Sequence, residues 1–283
     1  MKISRRAFLT GAFGFVGAGV TAAAYTRFGE PEWLEVTRKT ARLPRAASGP
    51  ALRVLHLSDF HASPVVPLTL IRRAVELGLA EQPDLVLLTG DFFTTVSTDH
   101  DGLAAALRPL AAAAPTFACA GNHDGGRWAE RAGGYNDLHP LRDVLTRAGI
   151  TLLRNDSAEL RLRGRRAQLA GVGDYWSEDC HPDFVFRHLA PRDGALRLVL
   201  NHNPDAKDLF LPHDWDLMLC GHTHGGQLRL PVIGTPFAPV RDKDYVAGLL
   251  PWRDRLIHIT RGVGNLHGLR FNCRPEVSVL EIS

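Results

Sequence analysis

Five short polar clusters each follow an apolar run: Asp59-Phe60-His61, Gly90-Asp91, Gly121-Asn122-His123-Asp124, Asn201-His202-Asn203-Pro204 and Gly221-His222-Thr223-His224-Gly225-Gly226-Gln227. Their side chains are hard carboxylates, neutral imidazoles and amide oxygens. That mixture suits Mn²⁺, Fe²⁺ or Zn²⁺ better than Ca²⁺, which prefers an oxygen shell, or a thiolate zinc site. In an extended His222-Thr223-His224 segment, alternate side chains point the same way, so two imidazoles can face two neighbouring ions. A carboxylate at a strand tip, as at Asp91, can bridge both. Each cluster alone is weak, because Asp-x-His and Gly-Asp pairs are common in turns. All five in this order predict a dinuclear site.

The elements that must position these clusters are legible from hydrophobic periodicity. Arg53–Leu57, Asp84–Thr89 and Thr116–Ala120 read as buried strands. Leu68–Leu79, Leu103–Ala112 and Leu138–Ala148 read as helices with apolar residues at helical spacing. Strand and helix therefore alternate in the first half, which implies parallel strands with crossover helices. The second half is richer in strands, at Glu159–Arg163, Gln168–Val172, Leu196–Leu200, Leu217–Cys220, Leu256–Ile259 and Val277–Ile282. In such an α/β arrangement the carboxyl ends of strands gather at one edge, where ligands bind. One domain over residues 51–283, with a central β sandwich, is the simplest reading, and residues 31–50 read as a linker.

Charge and composition exclude other classes. The chain has 283 residues, 45% of them hydrophobic, so a disordered or fibrous chain is excluded. The net charge of +3 comes from Lys2, Arg5 and Arg6, and the rest is formally neutral. No basic block stands out, so no nucleic-acid partner is expected. Ser4-Arg5-Arg6-Ala7-Phe8-Leu9 forms a twin-arginine signature, followed by an uncharged stretch, Ala7–Thr26, and the small residues Ala22-Ala23-Ala24. Residues 1–30 therefore read as a signal for the Tat export machinery, which places the protein outside the cytoplasm. Twenty uncharged residues could also stay as a membrane anchor. Cys119 and Cys220 lie in apolar runs and read as buried, inert thiols. Cys180 and Cys273 lie in loop-like segments where export would permit a disulfide.

The ordered pattern D-x-H … G-D … G-N-H-D … H … G-H-x-H over residues 52–283 resembles the calcineurin-like metallophosphoesterases. The resemblance implies an α/β fold, a four-layer αββα sandwich, and two divalent ions (Mn, Fe or Zn). It implies that Asp59, His61 and His224 bind the first ion, that Asn122, His202 and His222 bind the second, and that Asp91 bridges them. His123 would be the catalytic imidazole rather than a ligand, and a metal-bound hydroxide would attack phosphorus. Family protein phosphatases carry G-D-x-x-D-R-G; here the segment is Gly90-Asp91-Phe92-Phe93-Thr94-Thr95-Val96, without the acid that would orient His123. Purple acid phosphatases supply a tyrosine ligand at the position of Thr94. These departures narrow the expectation to a small-molecule or lipid phosphodiester substrate. Arg127 and Arg261 are candidate phosphate contacts, since guanidinium forks suit phosphate oxygens. Two other readings remain: a UDP-2,3-diacylglucosamine-type pyrophosphohydrolase linked to lipid A synthesis, and a non-catalytic metal-binding module. An imidazole at His123, beside the ligands, is unnecessary for binding alone.

Overall fold

The computed structural model describes residues 21–43, 50–96 and 99–283. The twin-arginine pair and most of the uncharged stretch lie outside the described residues. Among the described residues no helix is long and apolar enough to cross a membrane.

Twelve strands among the described residues form two six-stranded sheets. The first contains, in spatial order, β1 (Glu35–Ala41), β12 (Glu276–Ile282), β2 (Leu52–Leu57), β3 (Leu85–Thr89), β4 (Thr116–Cys119) and β5 (Thr151–Leu152). Strands β2 to β5 run parallel, and β12 runs antiparallel to β2. The second contains β10 (Gly248–Trp252), β11 (Arg255–Ile259), β9 (Leu217–Cys220), β8 (Leu196–Leu200), β7 (Arg165–Gly171) and β6 (Asp156–Leu162). Strands β7, β8, β9 and β11 are parallel, and antiparallel β6 and β10 close the two edges.

Alternation along each strand fills three apolar layers. Val54, Leu85, Leu87, Leu198, Leu200, Leu217 and Leu219 meet between the sheets. Their neighbours Leu55, Leu57, Val86 and Leu88 face the other way, against helices α1 (Leu68–Leu79), α2 (His100–Ala113) and α4 (His139–Ala148). Val199, Met218 and Cys220 face the opposite flank, where Val185 of α5 (Pro182–His188), Phe210 and Trp215 pack. Because side chains alternate across a pleated sheet, continuous apolar runs are what a strand buried on both faces requires. The expected four-layer αββα sandwich is therefore the architecture. Helix α1 buries Leu70, Ile71, Ala74, Val75 and Gly78, one stripe at helical spacing. Helix α4 stops at Gly149, whose φ of 76° is the left-handed cap that glycine favours.

The expected linker needs correction. Residues Glu35–Ala41 are a strand paired along its whole length with β12, in the register Glu35↔Glu276 to Ala41↔Ile282. This is an edge strand whose residues are mostly polar and partly exposed, so it carries no apolar alternation to read. Buried Glu276 holds it instead, accepting hydrogen bonds from Thr37 and from Lys39 at 3.2 Å. Strand β10 and the short helices α3 (Arg127–Arg131) and α5 were also invisible to periodicity, being too short or too mixed in polarity.

Candidate active site

Each polar cluster sits immediately after the carboxyl end of a parallel strand: Asp59 and His61 after β2, Asp91 after β3, Asn122 and His123 after β4, His202 after β8, His222 and His224 after β9. The loops strap to one another across the sandwich. Asp59 N donates to Gly90 O at 2.9 Å, His61 N to Asp91 O at 3.0 Å, and Gly221 N to His202 O at 3.0 Å. His222 N reaches from the second sheet to Asp59 Oδ1 at 3.0 Å. Asp59, His61, Asp91, His222 and His224 all have positive φ, between 47° and 69°. Residues other than glycine seldom adopt that conformation, which costs about 1 kcal/mol or more each and clusters at functional sites. Glycine gives the closest approach. A Cβ on Gly121 would lie 2.2 Å from Asp91 Oδ1, and one on Gly90 would lie 2.4 Å from Gly121 N.

The ligating atoms fall into two groups, each within 4.8 Å: Asp59, His61, Asp91 and His224, and Asp91, His202 and His222. Asp91 belongs to both. Asn122 joins the second group through Oδ1, 2.9 Å from His222 Nδ1. The first group brings His61 Nε2 to 3.1 Å from His224 Nε2 and to 3.4 Å from Asp91 Oδ2. His224 Nε2 also lies 3.4 Å from Asp59 Oδ1. All seven side chains are buried. The other ring nitrogen of three imidazoles faces a backbone carbonyl: His61 Nδ1 that of Phe93, His202 Nδ1 that of Thr89, and His222 Nε2 that of Pro239. Such carbonyls orient the rings and turn the second nitrogen toward the cluster, where a cation would be held. Buried nitrogens converging on carboxylate oxygens, with no apolar filling between them, fit divalent metal ions.

Electrostatics point the same way. Burial pushes His61 and His222 down to about 3, so both stay neutral at physiological pH. Burial also depresses His224, helped by neighbouring His61. His202 goes the other way: although burial opposes its charge, the Asp91 carboxylate raises it to about 10. Burial raises Asp59 above the usual carboxylate range, His202 opposing and Asp91 reinforcing. The cluster thus holds a proton on His202 to offset converging carboxylates, a role that a cation takes over when it displaces that proton.

His123 is part of the same site without belonging to either ligand group. Its amide donates to Asp91 Oδ1 at 2.9 Å, and its Nδ1 lies 2.8 Å from Thr94 O. The acid missing from the sequence is therefore replaced by a backbone carbonyl of the loop that carries Asp91. Trp128 packs edgewise on His123 at 4.5 Å between centroids, and Trp176 on His222 at 4.3 Å. The two indoles lie 5.6 Å apart and wall one side of the site. Asp124 does not face His123. Its carboxylate accepts from the amides of Asp91 (2.8 Å), Phe92 (2.6 Å) and Gly121 (2.7 Å), binding the β3 and β4 loops together.

The two candidate arginines are placed differently. Arg127 forms an exposed ion pair with Glu178 and lines a cavity of about 260 Å³ that reaches back to Gly121. Arg261 is tied to Glu276 at 3.2 Å and Glu35 at 2.7 Å, joining β12 to β1. The four cysteines are free, with Cys119, Cys220 and Cys273 buried. Sequence reasoning missed Arg270. It is fully buried, and its guanidinium donates to the carbonyls of Arg261 (2.8 Å), Gly264 (2.6 Å) and Cys273 (2.9 Å). No motif marks a lone arginine whose partners are mainly backbone oxygens.

The sequence matches the calcineurin-like phosphoesterase family over residues 52–226. It is 44% identical to phosphodiesterase YaeI of Escherichia coli (strain K12), covering 99% of both chains. It is 30% identical to the uncharacterized metallophosphoesterase YkuE of Bacillus subtilis (strain 168), covering 99% of this chain and 98% of the other. Identity to the UDP-2,3-diacylglucosamine pyrophosphatase LpxG of Chlamydia muridarum is 25%, covering 94% of each.

Proposed function

The chain belongs to the calcineurin-like phosphoesterase family, and from that premise we propose that it hydrolyses phosphodiester bonds with two divalent ions. The observation that carries this reading is Asp91, shared by two converging ligand groups with His123 bonded to it. Asp59, His61 and His224 would hold one ion, Asn122, His202 and His222 the other, and Asp91 both. Such a pair supplies Lewis acidity toward phosphoryl oxygens and acidifies water at neutral pH.

The chain's own residues do the rest. The carbonyl of Thr94 accepts from His123 Nδ1 and keeps the ring turned so that Nε2 is the nitrogen left to work. With Nδ1–H engaged, the doubly protonated His123 ring would give its Nε2 proton to the departing oxygen and be left as the neutral Nδ1–H tautomer. Trp128 and Trp176 pack on His123 and His222 along one flank. A non-catalytic metal module would have no use for an imidazole held in this way.

The donor set supports Mn, Fe or Zn. Arg5-Arg6 and the uncharged residues after them support Tat export, an extracytoplasmic location and association with the membrane. The 44% identity to a phosphodiesterase supports a diester substrate, and the lack of the protein-phosphatase segment G-D-x-x-D-R-G at Gly90–Val96 supports one of small-molecule or lipid type. The test is turnover of bis(p-nitrophenyl) phosphate by the Mn²⁺-loaded full chain, with p-nitrophenyl phosphate alongside. Preference for the diester is expected. Preference for the monoester, or no turnover of either with two ions bound per chain, would overturn the reading.

A further inference from the structure

Beside the metal ligands lies an apolar cleft of about 340 Å³, walled by Leu228, Phe237, Pro239, Leu266 and Leu269. Pro239 is the residue whose carbonyl meets His222 Nε2, so the cleft adjoins the ligand shell directly. The turn that leads into Phe237 is more apolar than a water-facing turn requires. Val232 is fully exposed, Ile233 is 68% exposed and Phe237 67%. Val232 also has a φ of 68°, rare for a β-branched residue, and that turn holds it out from the surface. Isolated exposed apolar residues are ordinary; a set gathered on one turn that also walls a cleft marks a contact surface.

The N-terminal segment arrives at the same place. Arg270 N donates to Thr26 O at 3.0 Å, and the Arg27 guanidinium lies 3.4 Å from Gly268 O. Buried Glu30 accepts from the amides of Asn272, at 2.9 Å, and Cys273. The chain is thus fastened to the 265–273 loop that walls the cleft, with Phe28 71% exposed beside it. Upstream, residues 7–26 carry no charge. The cleft wall formed by Leu266 and Leu269 and the exit toward the uncharged segment therefore share one loop. Exposed Arg27 and Arg229 flank this face, as does Lys243, which donates to Ala238 O. Cations around an apolar rim complement an anionic lipid surface.

We infer that the turn carrying Val232, Ile233 and Phe237, together with the Leu266–Leu269 loop, is a bilayer-contacting face that holds the metal centre at a membrane surface. The substrate class follows for the same site. It is a phosphodiester presented from the membrane, its apolar part toward the cleft; this step rests on the phosphodiesterase reading. A segment of uncharged chain tethers the molecule, and the Val232–Phe237 turn sets its orientation. Two contacts of that kind are what stable anchoring requires.

The test uses the full chain in a Cys180→Ser background, leaving only buried native thiols. Val232→Cys is labelled with nitrobenzoxadiazole, and Asp254→Cys, in the exposed turn between β10 and β11, is the control. Asp254 precedes β11, at the sandwich edge opposite the strand ends that carry the ligands. Vesicles of phosphatidylethanolamine and phosphatidylglycerol are added, with and without doxyl-labelled lipid. The expected result is a blue shift and doxyl quenching at position 232 and neither at 254. Equal, water-like emission at both positions on vesicle-bound protein would overturn the inference, as would equal lipid quenching at both. Bis(p-nitrophenyl) phosphate turnover by the unlabelled wild-type chain is scored separately. Its loss would count against the phosphodiesterase reading and the substrate class, while the probe result would still decide the membrane face.

Discussion

Replacing Arg270 with methionine should unfasten the site from below. The methionine keeps much of the arginine stem's bulk but removes the donors that serve the carbonyls of Arg261, Gly264 and Cys273. Each buried carbonyl left without a donor costs about 1–3 kcal/mol. Methionine also relieves the cost of burying a guanidinium, so the low end is the right one, and three carbonyls give about 3 kcal/mol. For a domain of this size each kcal/mol moves Tm by roughly 2–4 °C, so a fall of about 6–12 °C follows. The loss should reach the metal centre. Gly264 N donates to Asp59 O at 2.7 Å and Val263 N to Ser58 O at 3.0 Å, so the 261–264 loop that Arg270 holds is the one bracing the first ligand. Loss of such outer support weakens metal affinity by about 10–100-fold. Thermal unfolding in chelator measures the first effect and Mn²⁺ titration of the metal-free chain the second. Arg270→Lys, with fewer donors in a less suitable geometry, should fall between. A Tm within about 2 °C of wild type together with unchanged Mn²⁺ affinity would refute the reasoning.

Three further outcomes are expected. His123→Ala should retain both ions and lose about 10²–10⁴-fold in turnover of bis(p-nitrophenyl) phosphate, and unchanged turnover would remove His123 from the mechanism. Chelation should lower Tm, because ions present at about 100 times their Kd add roughly 2.7 kcal/mol each; a Tm indifferent to chelator would mean that no ion is held in the folded chain. His258, buried between the sheets with Nδ1 2.9 Å from His56 Nδ1, is held down to about 4 by burial. A histidine depressed in the folded state stabilises above its unfolded value of 6.5, and that contribution is lost as pH falls from 6.5 toward 4. The loss is about 1.4 kcal/mol per pH unit. Urea titration of the chelated chain at pH 7 and pH 4 should therefore show a smaller acid penalty in His258→Gln than in wild type, and equal penalties would refute it.

Most of the site was legible because its residues are chemically unusual for their surroundings. Carboxylates and imidazoles directly after runs such as Leu85–Thr89 have no packing role, so their order alone implied convergence. The central strands were legible for the converse reason: buried on both faces, they are continuously apolar. Strand β1 was not, because polar contacts to Glu276 rather than apolar alternation hold it in place. The orienting partner of His123 was not legible either, since it is the main-chain oxygen of Thr94 and any residue type supplies one. Arg261 read as a candidate phosphate contact, and the structure adds ion pairs to Glu35 and Glu276; sequence shows a guanidinium but not which carboxylates tertiary pairing brings to it.

The left-handed ligands explain why the site and the fold depend on each other. A strand that simply continued past Leu57 would send Asp59 and His61 to the same face, pointing away from the other sheet's loops as often as toward them. Positive φ at Asp59, His61 and Asp91 breaks the alternation and turns the first sheet's donors across the edge, and positive φ at His222 and His224 does the same from the second. That geometry is uphill locally, and so is crowding Asp59 and Asp91 in a buried space. Backbone straps such as His61 N to Asp91 O and the four-layer core over-determine the loops enough to hold them. A divalent cation would take over the balancing charge that the His202 proton otherwise supplies, which is why the ordered site favours a cation.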